Sequence, residues 1–177
     1  MMKSLISAIL LPAIFLFSEK HALSADISLH GTLIESLPCT VKPDDQSSEV
    51  RLGAIYDKYL YQYQRTAGKV FYLHLEHCDL SLANSMTILF TGQENPKLPG
   101  LLALEKGSQA SGIGIGLETV LGKKLALDKT SDPIQLIGED NIISLRAYIA
   151  AEQNAIEQRS ITPGFFSSIA TFSISYN

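Results

Sequence analysis

Apolar and polar residues alternate with a period of two along most of the chain. Ile27, Leu29, Gly31 and Leu33 alternate with Ser28, His30 and Thr32, the pattern of a half-buried strand. Over residues 70–78, Phe71, Leu73, Leu75 and His77 fall on one side, and Val70, Tyr72, His74, Glu76 and Cys78 on the other. Further strands are predicted over 86–90, 112–117, 125–127, 142–150 and 168–176, with turn signals at Thr91-Gly92 and Gly122-Lys123-Lys124. Residues 42–49, with Pro43 and Asp44-Asp45, read as a loop, as does the stretch holding Pro96, Pro99 and Gly100. About eight short strands with no long amphipathic helix predict an all-β sandwich.

Two segments are ambiguous by pattern. Gly112, Gly114 and Gly116 alternate with Ile113, Ile115 and Leu117. A phosphate-binding glycine motif needs a helix to follow, and no helical pattern does, so a strand packed closely against its neighbours is the better reading. The tyrosines of residues 56–63 fit a helical turn or strand edge covering the core, or else an exposed patch facing a partner.

The first residues form a separate element. Lys3 precedes an apolar run over residues 5–17, followed by Ala22, Ser24 and Ala25, the layout of a secretory leader. The run is shorter than the roughly 20 residues of a membrane-spanning helix. Residues 1–25 are therefore expected to be a signal peptide, cleaved after Ser24 or Ala25. In an exported chain two cysteines, Cys39 and Cys78, allow one internal pairing. Closing that loop is worth roughly 4 kcal/mol in the chain-entropy account. A metal site with His74 and His77 is the weaker alternative, because strand alternation puts the two histidines on opposite faces.

Of 177 residues 46% are hydrophobic and 18% charged, and the net charge is −4. A packed core is expected, and there is no basic footprint for nucleic acid. Chemistry-bearing motifs are missing: no Gly-x-Ser-x-Gly elbow and no His-Glu-x-x-His occur. Asp44-Asp45 and Glu139-Asp140 sit in apparent loops. No catalytic residue, metal ligand or cofactor is expected, and the chain is read as a non-enzyme.

The mature region resembles the fimbrial subunits of the chaperone–usher pathway, including the minor and adaptor subunits of type 1 and P fimbriae. The resemblance rests on the alternating segment before the first cysteine, on Pro38-Cys39-Thr40-Val41, on the second cysteine at a strand end, and on the strands at 112–115 and 143–148. Most specific is the C-terminal run, where Ala170, Phe172, Ile174 and Tyr176 alternate with Thr171, Ser173 and Ser175. Gly164 stands fourteenth from the end and Tyr176 is penultimate, as in the family.

The resemblance implies an incomplete immunoglobulin-like sandwich that lacks its last strand and is completed by a donor strand from a partner. It divides the chain into a leader (1–25), a donor-strand extension running into the first strand (26–37) and a pilin domain (38–177). Ile27, Leu29 and Gly31 are implied as donor positions. Gly164, Ala170, Phe172, Ile174 and Tyr176 are implied as groove and chaperone contacts, with the Asn177 carboxylate anchored by basic chaperone residues. The implied partners are a periplasmic chaperone, an outer-membrane usher and neighbouring subunits, and the implied location is the surface fimbria, reached through the periplasm. The tyrosine-rich composition points to a minor or adaptor subunit contributing to adhesion. A single-domain glycan-binding adhesin and a chain terminator are the alternatives.

Overall fold

The computed structural model describes residues 37–46 and 49–177, all within one compact unit, Ser36–Asn177. The expected leader, the strand expected at 27–33, and with them Ile27, Leu29 and Gly31, lie outside the described residues. Eight strands follow in order: β1 (Thr40–Val41), β2 (Lys69–Glu76), β3 (Ser85–Gly92), β4 (Ile113–Thr119), β5 (Lys124–Leu125), β6 (Ile134–Gln135), β7 (Asn141–Ala151) and β8 (Ala170–Tyr176). They form a sheet β1-β2-β7-β4-β5 and a sheet β6-β3-β8, with antiparallel neighbours throughout. This is the two-layered β-sandwich that the alternation predicts, in keeping with the immunoglobulin-like fold that the resemblance implies.

The core lies where the alternating faces meet. Leu73 and Leu75 of β2, Leu145 and Ile149 of β7, and Ile115 and Leu117 of β4 are buried from one sheet. From the other sheet Met86, Ile88 and Phe90 of β3 are buried against them. β2 ends two residues earlier than its pattern suggests. His77 takes a left-handed φ of 55°, and Cys78 N–H leaves the ladder to donate to Glu139 O at 2.8 Å.

Cys78 and Cys39 are joined as a disulfide, so the thiol needed for the alternative metal site is gone. His74 Nδ1 instead lies 2.7 Å from Asp45 Oδ2. That contact ties a single 3-10 turn (Pro43–Asp45), inside the segment expected to be loop, onto β2. Among the described residues no three acidic, histidine or cysteine side chains gather as a metal cluster.

The glycine run has a packing explanation. Ile113, Ile115 and Leu117 face the core, which leaves Gly114 and Gly116 on the outer face of β4. A Cβ on Gly116 would overlap the Tyr148 ring, which lies across β4 from the facing strand position. Arg65 caps this ring at 3.6 Å and pairs with the buried Glu118 at 2.9 Å. Burial holds the Tyr148 phenol above its usual pKa; Arg65 partly offsets the shift and Glu118 adds to it.

The tyrosine segment is a helix with a core-facing side and an exposed side. Helix α1 (Asp57–Tyr63) buries Leu60, and the Tyr61 hydroxyl accepts the Ile161 N–H at 3.1 Å. Tyr56, Tyr59 and Tyr63 remain exposed, the last two with ring centroids 4.5 Å apart one helical turn on. A second short helix, α2 (Gln153–Glu157), follows β7 and anchors through Ala155.

Candidate functional site

The site follows from an asymmetry between two paired strands. In the β3–β8 ladder Met86 faces Tyr176, Ile88 faces Ile174 and Phe90 faces Phe172. The β3 members are sealed in the core, Ile88 at 1% exposure. Their partners on β8 are only half-buried, although Phe172 reaches the Phe90 ring at a centroid distance of 6.4 Å. Side chains that face the same interior differ in this way because nothing among the described residues covers the far flank of β8.

The backbone of β8 has the same open flank. Asn177 N–H donates to Ser85 O at 2.9 Å, and Ser85 N–H donates back to Asn177 O at 3.2 Å. That exchange makes 85 and 177 a hydrogen-bonded pair. In an antiparallel ladder such pairs alternate with non-bonded ones, so Phe172, Ile174 and Tyr176 occupy non-bonded positions. β3 confirms the phase from its other side, where Ile88 O accepts from Ser131 N–H and Phe90 O from Asp128 N–H. The N–H and C=O groups of Phe172, Ile174 and Tyr176 therefore point away from β3, to an edge with no partner among the described residues. Such an edge is a template for another strand.

Beside this edge runs a groove of about 1410 Å³. Its floor includes Leu73, Phe90, Ile115 and Leu145, and its flanks are residues 164–172 on one side and 49–55 on the other. Small-molecule pockets hold roughly 300–1,000 Å³, so the groove is sized for a chain segment. Val50, Leu52 and Ile55 of the far flank pack against the core. Sequence reasoning missed this wall, although Val50 and Leu52 alternate with Glu49, Arg51 and Gly53 in strand phase.

The residues implied by the resemblance fall in distinct places. Gly164, Ala170 and Phe172 line the groove. Ala170 is exposed at the start of β8, whereas Ile174 and Tyr176 carry the half-buried face onward toward the disulfide. The Tyr176 hydroxyl donates to Cys39 O at 3.4 Å, and burial raises its pKa above the ordinary 10.0. Gly164 has a φ of 155°, and a Cβ there would stand 2.6 Å from Gln109 Cβ, so the chain can only pass the 109–110 segment as glycine. Asn177 O accepts from the main-chain N–H groups of both Asn84 and Ser85 at 3.2 Å.

The described residues thus form a two-sheet sandwich in which the β8 edge lies bare beside an apolar groove. Solved structures share the fold: the chain superimposes on the P pilus rod subunit PapA with a TM-score of 0.68, covering 80% of this chain and 100% of that one at 19% identity. Residues 27–177 match the sequence model of the family described as Fimbrial protein. Among similar proteins, the fimbrial-like protein YfcP of Escherichia coli strain K12 is 30% identical over 99% of both chains. The fimbrial adapter PapK of Escherichia coli is 28% identical over 90% of this chain and 92% of its own length. The chain belongs to the fimbrial protein family. Its role is structural, as a subunit of an extracellular fimbria, and no helix among the described residues is long and apolar enough to cross a membrane.

Proposed function

We propose that the groove receives an extended strand from a partner, first a periplasmic chaperone and then the next subunit delivered at the outer-membrane usher. The observation that carries this reading is the coincidence of two periods on β8. The same residues, Phe172, Ile174 and Tyr176, present half-buried side chains to the groove and unpaired backbone groups to the open edge. An added strand satisfies both at once, since each restored ladder bond contributes about 1 kcal/mol and each newly covered large side chain part of roughly 1.5–3 kcal/mol.

Residues 26–37, with Ile27, Leu29 and Gly31 facing inward, would play the donor's part toward the preceding subunit. A place as a minor or adaptor subunit is supported by the similarity to the adapter PapK over most of its length and by the exposed tyrosines of α1. Expression of the mature chain alone and with a cognate chaperone tests the reading. The expected result is a soluble one-to-one complex with the chaperone and aggregation or degradation without it. A chain that accumulates equally well without the chaperone and forms no complex with it would overturn it.

A further inference from the structure

The end of the sandwich that carries the disulfide bears an uncovered aliphatic tip. Leu37 is 72% exposed and Ile137 88%, and Leu80 and Leu82 are exposed with them. Three chain segments bring them together. Asp79 N–H donates to Pro38 O at 2.7 Å, Cys78 N–H to Glu139 O at 2.8 Å, and Leu136 N–H to Asn84 O at 2.9 Å, with Cys39–Cys78 bridging the first two segments. The tip is thus held in place by main-chain bonds and a covalent link. Exposed aliphatic side chains gathered in this way mark a contact surface.

Charge adds a second property. Asp79, Glu139 and Asp140 are exposed beside the four aliphatic residues. Hydrogen bonds from the Ser81 hydroxyl and N–H hold the Asp79 carboxyl below its usual pKa. Residues 37–41, 76–84 and 136–141 contain no lysine or arginine. The surface is aliphatic with an acidic rim, and complementarity calls for an apolar partner surface rimmed by basic side chains.

The chain's own connectivity names the occupant. Residues 26–36 enter the domain at Leu37, inside the tip. Between Gly31 and Leu37 a fully extended chain spans at most about 20 Å, so whatever subunit holds the extension in its groove must lie close to Leu37. We infer that the tip formed by Leu37, Leu80, Leu82 and Ile137 docks on the neighbouring fimbrial subunit whose groove receives this chain's extension, as a second contact beside the inserted strand. This rests on the donor-strand reading above. It adds a rigid-body interface that sets the angle between successive subunits.

Site-specific photo-crosslinking in fimbriae assembled on the native host tests the inference. A photoreactive residue replaces Leu29 in the extension, Leu82 or Ile137 in the tip, or Val70 on the outward face of β2 as the control. Leu82 and Ile137 are expected to link to the same subunit as Leu29, and Val70 to give no such product. The double substitution Glu139→Lys with Asp140→Lys is expected to lower the Ile137 yield several-fold. If Leu29 links to a subunit while Leu82 and Ile137 do not, or link instead to the usher or chaperone, the tip assignment is wrong and the donor-strand reading stands. If Leu29 links to no subunit, the donor-strand reading fails and the tip assignment falls with it.

Discussion

Phe172→Ala separates what β8 contributes to the subunit from what it contributes to a partner. Full burial of a phenylalanine side chain is worth roughly 1.5–3 kcal/mol. Phe172 is half-buried in the lone subunit, held there by Phe90 at 6.4 Å. About 1 kcal/mol of its burial is therefore already gained on folding. A further 1 to 1.5 kcal/mol or so becomes available only when a strand closes the groove. Truncation to alanine should lower subunit stability by about 1 kcal/mol and, separately, weaken chaperone binding about tenfold. Titration of refolded subunit against immobilised chaperone gives the second quantity, and urea unfolding of the same protein gives the first. Ser173→Ala, one residue away on the outward face and outside the groove lining, is the control and should shift neither by more than about 0.5 kcal/mol. An unchanged chaperone affinity for Phe172→Ala, with stability lowered as expected, would show that the exposed half of the ring does not face the incoming strand. The two-period argument for β8 would then be wrong.

Gly164→Ala places a Cβ 2.6 Å from Gln109 Cβ at a φ of 155°; a loss of roughly 1–3 kcal/mol in urea unfolding is expected, and unchanged stability would show that the 109–110 segment yields freely. Tyr176 predicts an alkaline limit. Burial raises its phenol pKa, so the folded chain keeps the proton longer than the unfolded one. The associated stability is complete below the ordinary tyrosine value near 10 and is lost as pH rises through the folded value. The unfolding midpoint should therefore fall above about pH 10, and Tyr176→Phe should reduce that fall; equal alkaline loss in both proteins would place its origin elsewhere, for example at Tyr148.

Most strands legible in the sequence are those long enough to show a period; the two-residue β5 is marked instead by the turn signal at Gly122-Lys123-Lys124. β2, β3, β4, β7 and β8 run seven residues or more, and a strand is predicted over each, from alternation in β2, β4 and β8 and from a short apolar run in β3. β1 and β6 have two residues each, and no period exists over two positions. Helix α2 has five, less than two turns. They form because longer neighbours hold them in register, which is tertiary information.

The groove was half legible on the same grounds. Its β8 wall is a clean alternation, whereas the opposite flank at 49–55 sits among polar residues and takes its place only by packing on the core. The Arg65–Glu118–Tyr148 group was not legible at all, since period two assigns Glu118 a face without saying that Arg65, from the stretch after α1, will cover it.

The position of the disulfide bears on how the domain carries mechanical load. A pull on the N-terminal extension enters at Leu37, and the first strand it meets is β1, paired with β2 only through Thr40↔Glu76 and Val41↔Leu75. So short a ladder would peel open bond by bond. Cys39 lies between Leu37 and β1 and is bonded to Cys78, just past the end of β2. Tension therefore crosses a covalent bond before it reaches β1 and passes into β2. That strand is laced to β7 along seven registered positions, from Lys69↔Ala147 to Leu75↔Asn141. Force along β2 shears these pairs together instead of unzipping them in turn, so under tension the bridge acts as a strain relief that spares the two-residue β1 ladder.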